Sequence, residues 1–139
     1  MGETENMRLM RHIFAGLVEG DGRPFVESLA DDFRWTIIGT TKWSGTYEGK
    51  QTVLNELFRP LLAQFADTYT NTPHRFLATG DCVVVECSGR ATTTEGKPYN
   101  NTYCWVCHIE GGKLQALTEY CDTDLIARAL GDPADVTPS

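Results

Sequence analysis

The stretch Asn100–Ile109, NNTYCWVCHI, and the stretch Leu114–Cys121, LQALTEYC, flank Glu110-Gly111-Gly112-Lys113. Two runs rich in aromatic and aliphatic residues on either side of a Gly-Gly pair predict two strands joined by a tight hairpin. The favoured two-residue turn requires positive φ at its central positions, which glycine adopts freely. Upstream of this hairpin the pattern repeats. His74–Thr79 reaches Val83–Thr94 through Gly80-Asp81, and Glu95-Gly96-Lys97-Pro98 forms the next turn. The second half of the chain therefore reads as a run of antiparallel strands.

The first half reads differently. Met7, Met10, Ile13, Phe14, Leu17 and Val18 recur at helical spacing and predict one amphipathic helix, ended by Gly20-Asp21-Gly22. Pro24 suits the first turn of a shorter helix that turns Phe25, Val26 and Leu29 inward. A strand is expected over Phe33–Thr40, then a loop with Trp43, Gly45 and Gly49. A third helix carries Val53, Leu54, Leu57, Phe58, Leu61, Leu62 and Phe65, with Pro60 expected to kink or split it. A short helix, Thr123–Leu130, closes the domain, and the tail from Gly131 is expected to fray. Helices followed by strands imply one α+β domain over residues 1–130, with the helices on one face of an antiparallel sheet.

The 139 residues are one domain's worth, and 41% apolar content is ordinary for a globular protein. Twelve Lys+Arg against nineteen Asp+Glu give a net charge of −7. That balance excludes the basic footprint that a nucleic acid or an anionic membrane requires. An acidic N-terminus and the lack of a long apolar run point to a cytoplasmic protein. Five cysteines, an odd number, are expected as reduced core thiols. Cys104 and Cys107 have CxxC spacing, but on a strand they face opposite ways. The three histidines are scattered, and no nucleotide-binding or serine-hydrolase motif occurs. No metal and no cofactor is expected.

The element order and four motifs resemble the nuclear-transport-factor-2-like superfamily, in its SnoaL-like branch. The motifs are Leu29-Ala-Asp-Asp-Phe-Arg-Trp35, Gly45-Thr-Tyr-Glu-Gly49, Gly96-Lys-Pro-Tyr-Asn-Asn101, and Gly112-Lys-Leu leading to Glu119-Tyr-Cys-Asp122. The resemblance implies a curved antiparallel sheet wrapped by N-terminal helices into a cone, with an apolar cavity inside. It also implies a homodimer through the sheet's outer face. Activities on this fold vary widely, so the site must be read residue by residue.

Ketosteroid isomerases of the superfamily use a tyrosine and two acids; the matching positions here are Ile13, Ile37, and Cys104 or Trp105. None can carry that proton transfer. Limonene-epoxide hydrolases use an Asp-Arg-Asp set. Asp122 matches one acid and Tyr120 also fits, while the arginine and second acid fall near Cys87 and Gly89, and the first-strand tyrosine and asparagine fall on Trp35 and Ile37. Polyketide cyclases of the SnoaL branch need one late aspartate, and Asp122 lies in the comparable region.

Asp122 carries two readings: a pocket acid and base, with Tyr120 beside it, or the cap of the closing helix. The expected pocket wall is Trp35, Ile37, Leu57, Leu61 and Glu86, with Trp43 and Tyr47 at its mouth. Alternation leaves the facing of 100–109 open. The hydrolase match turns Cys104 and Val106 inward and leaves Tyr103 and Trp105 for the dimer interface, where Cys107 and Leu117 extend the outward apolar patch. Glu119 reads as a solvated or dimer-face residue. Two functions follow. One is proton-transfer chemistry (isomerisation, cyclisation or dehydration) on an apolar oxygenated ligand; the other is a noncatalytic ligand-binding or dimerisation module of the same fold.

Overall fold

A computed structural model describes residues 2–135. Helix α1 (Glu3–Leu17) and the short α2 (Arg23–Glu27, with Pro24 in its first turn) precede strand β1 (Leu29–Ile37). Strand β2 (Gly45–Glu48) leads into a helical segment made of α3 (Lys50–Thr52), a π-helical stretch (Val53–Phe58) and α4 (Arg59–Leu62). Four long strands follow: β3 (Thr70–Thr79), β4 (Cys82–Arg90), β5 (Thr102–Glu110) and β6 (Lys113–Cys121). Helix α5 (Thr123–Ala129) comes after them.

The six strands form one sheet in the order β2-β1-β6-β5-β4-β3. Four of the five neighbouring strand pairs run antiparallel, but β1 pairs with β6 in parallel, so the sheet is mixed. A parallel pair needs a crossover of a dozen or more residues. Everything from β2 to β5 lies between β1 and β6, so the chain has ample length to return in the same direction. Strand β2 occupies what the sequence presents as a loop. Its four residues hold by pairing Tyr47 with Trp35, a partner that no local pattern reveals.

The third helix is divided next to Pro60. The π-helical stretch ends at Phe58, just ahead of the proline, which sits in the first turn of α4. Loosening the hydrogen-bond ladder there accommodates a residue without an N–H.

Gly111 and Gly112 both have positive φ, 57° and 77°, the geometry of the hairpin that the Gly-Gly pair predicts. Directly after this turn β6 carries a bulge. Ile109 pairs with Leu114 but His108 pairs with Ala116, so Gln115 is the extra residue. The bulge lets Leu114 and Leu117 both point into the core despite their odd spacing. Beyond it, Trp105 faces Glu119 and Cys107 faces Leu117.

The inner face of the sheet is thus Phe33, Trp35 and Ile37 on β1, Val83, Val85 and Cys87 on β4, and Tyr103, Trp105, Cys107 and Ile109 on β5. Leu114, Leu117 and Glu119 complete it on β6, and all are buried. Helix α1 lies across this face and sets Phe14 against Trp105 and Phe76, at ring-centroid distances of 5.3 and 5.7 Å. The dimer-interface role expected for Tyr103, Trp105, Cys107 and Leu117 is corrected accordingly: burying the larger apolar face against the helices decides the facing. The five cysteines are free thiols.

Gly131 and Asp132 make contacts with the rest of the domain. Gly131 N donates to Gln64 Oε1 (2.9 Å), Trp43 Nε1 donates to Gly131 O (2.7 Å), and Lys42 pairs with Asp132 (2.8 Å). The rest of the expected frayed tail, 136–139, lies outside the described residues.

Candidate functional site

The inner sheet face and the helices enclose a partly closed pocket of about 180 Å³. Its wall is aromatic. Trp35 is packed by Phe25, Phe58 and Trp105 with ring centroids 5.6, 5.3 and 5.5 Å away. Edge-to-face and tilted contacts of this kind hold the rings rigidly and exclude water. Ile37, Leu57, Leu61 and Trp43 complete much of the apolar lining. Trp35 and Ile37 reach it by strand alternation, Leu57 and Leu61 by helical spacing, and Trp43 through the hydrogen bond of its indole to Gly131 O.

One carboxylate lies in this lining. Glu119 is 6% exposed, and Trp105 Nε1 donates to its Oε1 at 2.9 Å. Removal from water pushes its pKa up to about 7, against the smaller opposing effect of hydrogen bonds from Trp105 and from the Cys121 thiol. A neutral carboxyl held by one oxygen, beside a void, can give a proton and take one back near neutral pH.

Tyrosine hydroxyls supply the remaining polarity. Tyr69 OH donates to Tyr103 OH (2.8 Å), and Asn101 Nδ2 donates to Tyr99 OH (3.0 Å). Burial pushes all three phenols above their ordinary pKa, so they are neutral donors and acceptors. Gly89 makes room for this pair, because a Cβ there would overlap both the Tyr69 hydroxyl and the Tyr103 ring.

Several expected site residues lie elsewhere. Tyr120 is 48% exposed on the outer face of β6. Asp122 is exposed and caps α5, its Oδ1 accepting from Leu125 N at 3.2 Å. Of its two readings, the geometry shows the cap. Glu86 points outward and binds Arg75 (2.7 Å). Cys104 and Val106 also face outward, because their neighbours Tyr103, Trp105 and Cys107 take the inner face. Tyr47 packs outside the pocket and donates from its hydroxyl to Trp43 O (2.8 Å), bracing the loop that carries Trp43.

Glu119 is the candidate group that strand alternation misplaced. Its signal was present in the odd Leu114–Leu117 spacing: both leucines can be buried only if one extra residue intervenes, and that same shift turns Glu119 inward.

The fold matches known structures across nearly the whole chain. An NTF2-like protein of unknown function from Burkholderia pseudomallei is 23% identical, with a TM-score of 0.78 over 94% of this chain and 98% of that one. A putative SnoaL-like polyketide cyclase from a Jannaschia species is 14% identical, with a TM-score of 0.76 over 92% of each chain. TerC, co-crystallised with polyporic acid, is 19% identical, with a TM-score of 0.76 over 90% of this chain and 97% of TerC. No curated protein sequence matches. The SnoaL-like domain model matches residues 10–117, and with the mixed sheet, the helices over its inner face and these structural likenesses, the chain belongs to the SnoaL-like family within the NTF2-like superfamily.

Proposed function

We propose that this protein binds a small apolar, oxygenated molecule in the aromatic pocket and that Glu119 moves a proton on it, in an isomerisation, cyclisation or dehydration. The observation that carries this reading is the buried carboxyl of Glu119, the one charged side chain among the described pocket-lining residues. Such a group costs stability in an apolar wall, and perturbed carboxyls in clefts cluster at functional sites. Trp105 fixes one carboxyl oxygen, and the side chain lines the pocket where a ligand would sit. The likeness to a putative polyketide cyclase and to TerC, co-crystallised with polyporic acid, supports small-molecule chemistry on this fold.

Infrared difference spectroscopy tests the assignment. The band of a protonated carboxyl is expected to vanish with a midpoint near pH 7 and to be missing from Glu119→Gln. A midpoint below pH 5 removes Glu119 as the acid and base. If the pocket binds ligand equally well in Glu119→Gln and the wild type turns nothing over, the noncatalytic binding module is the correct function.

A homodimer across the outer sheet face belongs to the same reading. Leu77, Val84 and Val106 form a cross-strand apolar row there, with Cys104 and Tyr120 beside it. Leu77 and Tyr120 are each 48% exposed in the single chain, and a contiguous apolar patch of this kind favours a partner. Five free thiols accord with a cytoplasmic location. No helix among the described residues is long and apolar enough to cross a membrane.

A further inference from the structure

The three tryptophans differ in one respect. Trp43 Nε1 donates to Gly131 O at 2.7 Å and Trp105 Nε1 donates to Glu119 Oε1 at 2.9 Å. Trp35 Nε1 is buried and has no hydrogen-bond partner among the described residues, although its residue is 4% exposed and lines the pocket. An indole N–H only donates, and a buried donor left unpaired is costly enough that it needs a reason. Its ring also touches the ring of Trp105, whose own N–H holds Glu119 (ring centroids 5.5 Å). The orphan donor and the buried acid therefore belong to one wall.

These features restrict the ligand's chemistry. It must present an acceptor to Trp35, and a wall built from the rings of Trp35, Phe25, Phe58 and Trp105 favours a flat, conjugated body. A carboxylate or phosphate would bring a charge into a dry wall beside the Glu119 carboxyl, on a chain of net charge −7. The pocket's 180 Å³ is below the ~300–1,000 Å³ of sites for drug-sized molecules.

We infer that the pocket takes a flat, neutral carbonyl compound of one or two rings, whose carbonyl oxygen accepts the Trp35 Nε1–H. This rests on the small-molecule reading above and names the ligand class for that same site.

Matched probes test it: 1-indanone, with a carbonyl; indane, without one; and indane-1-carboxylate, with a charged acceptor. In nitrogen-15-labelled protein each of the three tryptophans gives one indole N–H resonance, and that of Trp35 is identified by its loss in Trp35→Phe. On titration, 1-indanone is expected to move the Trp35 indole resonance downfield and to bind about three- to tenfold more tightly than indane, the worth of one hydrogen bond. Trp35→Phe, which keeps a ring in the wall, is expected to bring the two affinities together while leaving that for indane nearly unchanged. If Trp35→Phe does not fold, the wild-type shift and the wild-type affinity ratio decide. Equal binding of indane and 1-indanone with no specific Trp35 shift overturns the inference but leaves the pocket reading in place, as does tighter binding of the carboxylate. If no probe perturbs Trp35, Trp105 or the titration of Glu119, both the inference and the pocket reading fall.

Discussion

Glu119 and Asp122 stand three residues apart and meet opposite environments. Glu119 is buried with a pKa raised to about 7, whereas its carboxyl in an unfolded chain ionises near its model value of 4.5. Between those values the folded state holds the proton more tightly, so stability falls as pH rises from about 4.5 to about 7 and levels off above. The shift amounts to roughly 3 kcal/mol at ~1.4 kcal/mol per unit. Glu119→Gln keeps the shape without the charge, so its melting temperature is expected to gain on the wild type from pH 5 to pH 8. Parallel melting curves across that range would contradict the burial argument. Asp122 responds through its cap. Asp122→Asn is expected to be nearly neutral, while Asp122→Ala costs about 1 kcal/mol by denaturant titration. Neither substitution is expected to alter ligand binding.

The β5–β6 hairpin shows how a single backbone irregularity places a functional group. With an unbroken two-residue turn, the pairing Glu110 to Lys113 would carry Trp105 opposite Thr118 and leave Glu119 on the outer face. The bulge at Gln115 advances β6 by one residue and brings Glu119 opposite Trp105 instead. Deleting Thr118 is therefore expected to turn Glu119 outward opposite Val106, with loss of the pH-7 carboxyl titration, whereas deleting Gln115 closes the bulge and keeps Glu119 opposite Trp105. The turn itself sets a smaller penalty. A Cβ on Gly111 meets nothing nearby, but its φ is 57°. Gly111→Ala is expected to cost about 1–2 kcal/mol through backbone strain alone, and Gly111→Asn less, because asparagine tolerates that region. Denaturant midpoints of the two variants check the order.

At the scale of the whole molecule the two sheet faces differ. The inner one is closed by α1, α2 and the helical segment before β3; the outer one carries Leu77, Val84 and Val106 in a row from β3 to β5. Light scattering is expected to give twice the 15.5 kDa chain mass at micromolar concentration, and Leu77→Lys with Val106→Lys is expected to halve it without unfolding the chain. A wild-type monomer would overturn the dimer.

The α+β class, the three helical stripes, the β3–β4 and β5–β6 hairpins and the SnoaL-like resemblance could be read from residue order, because each depends on local periodicity and turn chemistry. Trp35, Ile37, Leu57 and Leu61 were legible as pocket wall for the same reason: alternation and helical spacing point them to one side. The parallel β1–β6 pairing, the β2 edge and the inward turn of Glu119 were decided only by the tertiary structure. A strand's partner is set by long-range closure of the sheet, and a bulge reverses the facing of every residue after it. Whether an acid near the chain's end is solvated or buried depends on that one extra residue, which alternation counted along a single strand does not contain.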